Sequence, residues 1–179
     1  MTRRGFTIVE LIITITIMGI LLTLAVVNVS STQVNARDDE RKADIEAIAS
    51  NIEAYYSTGT EGSSTFGRYP SVGLTGPAAN ITINLREANI KSFLPPGITD
   101  VSLGFVKSTN TGTMNTSTNT SIQSTTGVLP QPTKDQYVYQ PIKSDGTICL
   151  TGETDCRKFN LFYRLESDST IYRVTSKNQ

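Results

Sequence analysis

The stretch that decides the fold lies at the start of the chain: Arg3-Arg4-Gly5-Phe6-Thr7-Ile8-Val9-Glu10, then an apolar run over residues 11–29. That run contains Ile12, Ile13, Ile15, Ile17, Ile20, Leu21, Leu22, Leu24, Val26 and Val27. At a rise of about 1.5 Å per residue, about 19 such residues in a helix cross a hydrocarbon layer of roughly 30 Å. No formal charge occurs from residue 11 to residue 36, whereas residues 37–44 read Arg-Asp-Asp-Glu-Arg-Lys-Ala-Asp. The first segment belongs in lipid and the next in water. Arg3 and Arg4 are expected to hold the N-terminus in the cytoplasm and send the rest outward. A secretory signal peptide competes, but the run is longer than the usual h-region, no small-x-small site follows it, and Glu10 stands near its start. A carboxylate there is costly unless it is paired, protonated or within reach of water.

Working outward, the helical pattern continues past the apolar run. Ile45, Ile48, Ile52 and Tyr55 recur at spacings of three and four and so share one helix face. Asp38 stands three before Arg41 and four before Lys42, as exposed ion pairs on such a helix do. The spacing predicts one helix over residues 6–56, roughly 75 Å long, with Gly19 as its weak point. Gly59, Gly62 and Gly67 end it. Residues 81–85 alternate like a short strand, residues 85–94 read as a helical turn or two, and residues 98–106 as a strand. Residues 108–126 hold twelve Ser/Thr in nineteen positions, which predicts an exposed loop with almost nothing to bury. Asn115 and Asn119 match the N-glycosylation pattern, a cheap match in so Ser/Thr-rich a tract. The strand signals are clearest at the end: one begins at Tyr137-Val138-Tyr139, a second alternates through Phe159, Leu161, Tyr163 and Leu165, and a third covers residues 171–175 after a turn at 167–169. Together they predict a small antiparallel sheet whose apolar face is covered by the Ile45, Ile48, Ile52, Tyr55 stripe. The fold class is therefore α+β.

The composition excludes much chemistry. With no histidine, the chain lacks the usual general base and the commonest metal ligand, and it shows neither a nucleophile elbow nor a phosphate-binding glycine loop. Sixteen Lys+Arg balance sixteen Asp+Glu, so no nucleic-acid partner is inferred. Cys149 and Cys156 are too few for a thiolate zinc site and too far apart for Cys-x-x-Cys chemistry. They read either as a disulfide, which places them outside the cytoplasm, or as two free thiols in a reduced protein. No enzymatic activity and no cofactor are expected.

Gly5 then Phe6, Glu10 four residues on, and a spanning helix directly behind resemble the processing signal of type IV prepilins and the related pseudopilins. The resemblance implies a pilin-like fold and division of the chain into a leader at residues 1–5, an assembly half of the helix at 6–36, an amphipathic half at 37–57 and a C-terminal β domain at 58–179. A prepilin peptidase would cut between Gly5 and Phe6 and methylate the new Phe6 amine. Pairing of the Glu10 carboxylate with the Phe6 ammonium of a neighbour would set the register of a helical polymer, since a wrong register leaves charges unpaired. The implied partners are further copies of this chain, minor pilins, the peptidase, an assembly platform in the membrane, and lipid before assembly. The implied location is the cytoplasmic membrane and then the cell surface. Cys149 and Cys156 resemble the C-terminal disulfide of many pilins. In two respects the chain departs from the family: Val27 stands where many pilins have proline, and residues 73–132 follow no pattern of the family. A pseudopilin of a type II secretion-like system is the alternative function. Major pseudopilins often bind calcium in a C-terminal loop; here Asp145, Glu153, Asp155 and Asp168 are the candidate ligands, at a spacing that matches no calcium loop. A membrane-anchored extracytoplasmic binding domain or enzyme is the third class.

Overall fold

A computed structural model describes residues 5–59, 66–71, 74, 81–82, 84–85 and 88–178. It has two compact units, Met1–Ala36 and Arg37–Gln179. Helix α1 runs over Ile8–Thr58, unbroken at Gly19, and so begins and ends two residues later than its hydrophobic pattern predicts. Gly59 closes it in the left-handed conformation (φ 65°), and its amide reaches the Tyr55 carbonyl at 2.7 Å. Only glycine enters that conformation without penalty, which is why the helix stops there. Gly62 and Ile83 lie outside the described residues, as do Arg3 and Arg4.

In the second unit, a four-stranded sheet has the order β1-β4-β5-β6, from β1 (Phe105–Lys107), β4 (Tyr137–Lys143), β5 (Cys156–Arg164) and β6 (Ile171–Thr175). A separate hairpin pairs β2 (Met114–Asn115) with β3 (Thr120–Ser121). The last three strands of the main sheet are antiparallel, but β1 runs parallel to β4, so the sheet is mixed rather than antiparallel. Physically, a parallel pair needs a long crossover, and residues 108–136 supply it. Ile45, Ile48, Ile52 and Tyr55 are all buried, in one core with Phe105, Tyr137, Tyr139, Phe159, Leu161 and Tyr163. Consecutive ring contacts, Tyr69 on Phe159 at 4.9 Å and Phe93 on Phe105 at 5.0 Å, fill this layer edge to face.

Three local expectations are corrected. Ile81, Thr82 and Asn84 are helical, with the Leu85 amide on the Ile81 carbonyl at 2.7 Å, so the alternation at 81–85 is not a strand. The expected strand at 98–106 is mostly a short helix, Val101–Gly104, because Asp100 caps it by accepting from the Ser102 amide at 2.8 Å. The Ser/Thr tract is exposed along much of its length, yet it buries Ser108, Asn110 and Ile122 and covers the second face of the sheet. Ile122 packs with Ile142 and Ile148, and Val128 with Val138 and Phe162. Strand β5 is thus buried on both faces, not one.

A polar layer explains how a hydroxyl-rich segment packs there. The Gln140 amide donates to the Ile122 carbonyl at 2.9 Å, the Asn160 amide to Gln140 Oε1 at 3.0 Å, and the Asn110 amide to the Gly127 carbonyl at 3.1 Å. Among the described residues, no buried side-chain polar atom lacks a partner. Burial of these amides is tolerable because every one is satisfied.

Candidate functional site

Thr7 precedes the first residue of α1 and caps it. Its hydroxyl accepts from the Glu10 amide at 3.3 Å, while the Glu10 carboxylate accepts from the Thr7 amide at 3.5 Å and the Thr7 hydroxyl at 3.4 Å. Thr-x-x-Glu at this spacing is a capping box, and the positive end of the helix favours the anion. Glu10 therefore has a defined place in the single chain before any neighbour is considered. The spacing that reveals it, Thr7 to Glu10, stands in the sequence, where the carboxylate reads only as a charge near lipid.

Behind the cap, the side chains form an apolar surface on every side of the helix. Phe6 is 85% exposed, and Ile8, Leu11, Ile12, Ile13, Ile15, Ile17, Ile20, Leu21, Leu22, Leu24, Val26 and Val29 all stay exposed. The few polar side chains turn inward on the backbone: Thr14 donates to the Leu11 carbonyl at 2.8 Å, Thr16 to Ile12 at 2.7 Å and Thr23 to Ile20 at 2.7 Å. A surface with its hydroxyls satisfied internally can enter an apolar environment without stranding a donor. The helix is long and apolar enough to cross a membrane. A methyl group added to Gly5 would meet no described heavy atom within 4 Å, so nothing in this chain's own packing requires glycine there.

In the second unit the expected Asp38–Arg41 pair forms but is buried rather than exposed, and Lys42 pairs at the surface with Asp39 at 3.2 Å instead of with Asp38. Asp38 and Arg41 are buried, at 3% and 0% exposure. The Arg41 guanidinium donates to Asp38 at 2.9 Å and to the Lys134 carbonyl at 2.8 Å, and it reaches Glu166 at 3.4 Å. Asp38 also accepts from the amides of Glu166 at 2.7 Å and Ser167 at 2.9 Å. Arg37 closes a two-pronged pair on Glu166, both bonds at 2.8 Å. Burial alone would push the Asp38 carboxyl up, but the hydrogen bonds from Ser167 and Glu166 and the Arg41 charge hold it below the usual range. Arg37 likewise draws Glu166 down. The periodicity of these residues is read correctly as helical, while their burial is invisible without the β5–β6 turn that covers them.

Nearby, Asp44 sits half-buried with the Tyr137 hydroxyl donating to it at 3.1 Å. Burial pushes its carboxyl up to about 6, and the Tyr137 bond offsets only part of that. At the other end of the helix, Glu53 accepts from the Tyr69 hydroxyl at 2.9 Å, the Lys177 amide at 2.7 Å and the Asn178 side chain at 3.1 Å, tying down the end of the chain.

Cys149 and Cys156 are joined as a disulfide, with Cα atoms 5.6 Å apart. The expected calcium candidates each have a partner of their own. Glu153 pairs with Lys143 at 2.6 Å, Asp155 with Arg157 at 2.7 Å, Asp145 with the Thr147 hydroxyl at 2.6 Å and Asp168 with the Tyr172 hydroxyl at 2.9 Å. Among the described residues, no three His, Cys, Asp or Glu side chains converge on a point where a metal ion would fit. Asn115 is used locally, accepting from the Ser117 amide at 3.1 Å, and Asn119 takes a positive φ of 49° at the hairpin turn.

Residues 1–26 match the family model of the prokaryotic N-terminal methylation motif. No curated protein and no solved structure matches the chain. The matched segment contains Gly5, Phe6, Thr7 and Glu10 together with most of the exposed apolar surface.

Proposed function

From the prepilin-type signature, we propose that this chain is a structural subunit of a type IV pilus-like surface filament, without catalytic activity. Prepilin peptidase cuts between Gly5 and Phe6 and methylates the Phe6 amine. The exposed apolar helix then passes from lipid into the core of the filament. One observation carries this reading: apolar side chains stay exposed on all sides of the helix from Phe6 to Val26, with Glu10 the only charge over residues 5–36. A soluble protein has no use for such a surface, whereas a subunit that leaves the bilayer for a bundle of identical helices buries it twice. The unpartnered space around Gly5 fits a glycine required by an enzyme's cleft rather than by the fold.

The pilus reading is preferred to the secretion pseudopilin on the C-terminal loop, which the disulfide closes and whose carboxylates are paired with Lys143 and Arg157. Replacing Gly5 with leucine is the test. The variant is expected to stay at full precursor mass and to be absent from filaments sheared off the cells, in contrast to the unaltered chain. A variant that still runs at the mature mass puts the cut elsewhere and overturns the assignment.

A further inference from the structure

The second unit has two sides that differ in charge. On one side lies α1, where Ala43, Glu46, Ser50 and Ala54 are exposed. On the other side is the second face of the sheet, where Val128 of the crossover covers Val138 and Phe162, and Asn160 is buried as well. The rim of this face stays open, with Lys158 half-buried and Arg173 exposed. By the observed register, with Arg173 opposite Phe162 and Thr175 opposite Asn160, that face carries Lys158, Asn160, Phe162 and Arg164 from β5 and Ile171, Arg173 and Thr175 from β6. Three cations stand there and no carboxylate. A cleft of about 310 Å³ opens between Gln123, Lys158, Asn160 and Arg173. Arg173 spends one N–H on the Gln123 carbonyl at 2.7 Å, and Lys158 has no hydrogen-bond or ion-pair partner among the described residues.

The carboxylates give the complementary fact. Among the described residues, all Asp and Glu side chains but one accept a hydrogen bond or face a cation within the chain: Asp39 from Lys42, Glu40 from Lys91, Asp44 from Tyr137, Glu53 from Tyr69, Asp135 from Lys134, and the rest as described above. Glu46 has none. It is exposed on α1, close enough to the sheet for its charge to act on the Tyr163 hydroxyl, and it is flanked by Ala43 and Ser50, whose short side chains let another surface approach.

We propose that Glu46 of one copy seats in the Lys158/Arg173 cleft of a neighbouring copy. This inference rests on the filament reading above. An anion on one side and an unpartnered cationic cleft on the opposite side of one unit make a head-to-tail contact. Such a contact does not pair with itself across a two-fold axis, and repetition of it yields an open helix rather than a closed dimer. Charge complementarity of this kind fixes which faces meet, and reversal of one member places like charges together.

The experiment is a charge-reversal cycle on the full chain, expressed as the sole source of this subunit in a filament-producing host. Sheared filament is quantified for the unaltered chain, Glu46→Lys, Lys158→Glu and the double variant. Each single reversal is expected to lower filament yield by about tenfold or more, and the double variant to recover most of it. Both positions lie outside the core, and recovery in the double variant would show that neither change acts by unfolding the subunit. Single reversals that leave yield unchanged, or a double variant no better than its parents, overturn the contact. Absence of filaments from the unaltered chain overturns the filament reading and this contact with it, which separates the two failures.

Discussion

At Glu10 two roles meet in one carboxylate, and substitution can divide them. The capping box accepts glutamine as well as glutamate, whereas only the anion neutralises a neighbour's ammonium. Glu10→Gln and Glu10→Ala are both expected to be cleaved, because Gly5 and Phe6 are untouched, and both to lose filaments. Equal filament yield from the Gln variant and the unaltered chain would assign Glu10 to capping alone. Arg41 poses a different problem, since its guanidinium is buried with Asp38 and within reach of Glu166. Removal of one member leaves a buried charge unpaired, so Arg41→Met is expected to cost about 3–5 kcal/mol in denaturant unfolding of the mature chain. Asp44 makes stability depend on pH in a known direction. Its folded pKa of about 6 lies above the unfolded value of about 3.9, so the folded state binds the proton first. Relative to Asp44→Asn, the unaltered chain is expected to gain stability as pH falls from 7 to 4, and a constant Tm difference would contradict this. Below that window Asp38 and Glu166, held low by their partners, lose their contribution.

At the scale of elements, the Ser/Thr-rich crossover is the part whose structure is least evident from its composition. It is held by buried amides and by a close approach at Gly127, where an added methyl group would fall 2.0 Å from the Ser121 carbonyl oxygen. Gly127→Ala is therefore expected to destabilise by about 1–3 kcal/mol and to speed proteolysis within residues 108–126. An unchanged cleavage rate would mean that the crossover does not depend on this contact. The disulfide closes about eight residues, which by loop entropy contributes about 2.5 kcal/mol, and Cys149→Ser should show that loss in the unfolding midpoint. Legibility followed the same division. The helix and its buried stripe and the last three strands are readable because hydrophobic period is a local property, whereas spacing alone leaves Cys149 and Cys156 open between a disulfide and free thiols. The parallel strand β1 is not readable, because its pairing with β4 is decided by a crossover that is held by Ile122, Val128 and Asn110 and by the Gln140 and Asn160 amides of the strands beneath it. Asp38 and Arg41 misled for a related reason: their partners Lys134 and Glu166 lie more than ninety positions away.

At the scale of the whole molecule, the chain divides its charge as the proposed filament subunit requires. One unit, Met1–Ala36, has an apolar helix surface, and the other, Arg37–Gln179, carries a satisfied core and nearly all the ionised groups. The paired carboxylates of the disulfide loop give a further prediction. Millimolar calcium is expected to leave the Tm of the mature chain unchanged, whereas a rise of several degrees would show a bound ion and favour the secretion pseudopilin. The central claim is that the N-terminal signature is processed and the product assembled. Mass spectrometry of filaments sheared from cells, reading both intact mass and the N-terminal peptide, tests it directly. A dominant species that begins at N-methylated Phe6 is the predicted result. A chain that begins at Met1, or after Val29, and is missing from every filament would contradict it.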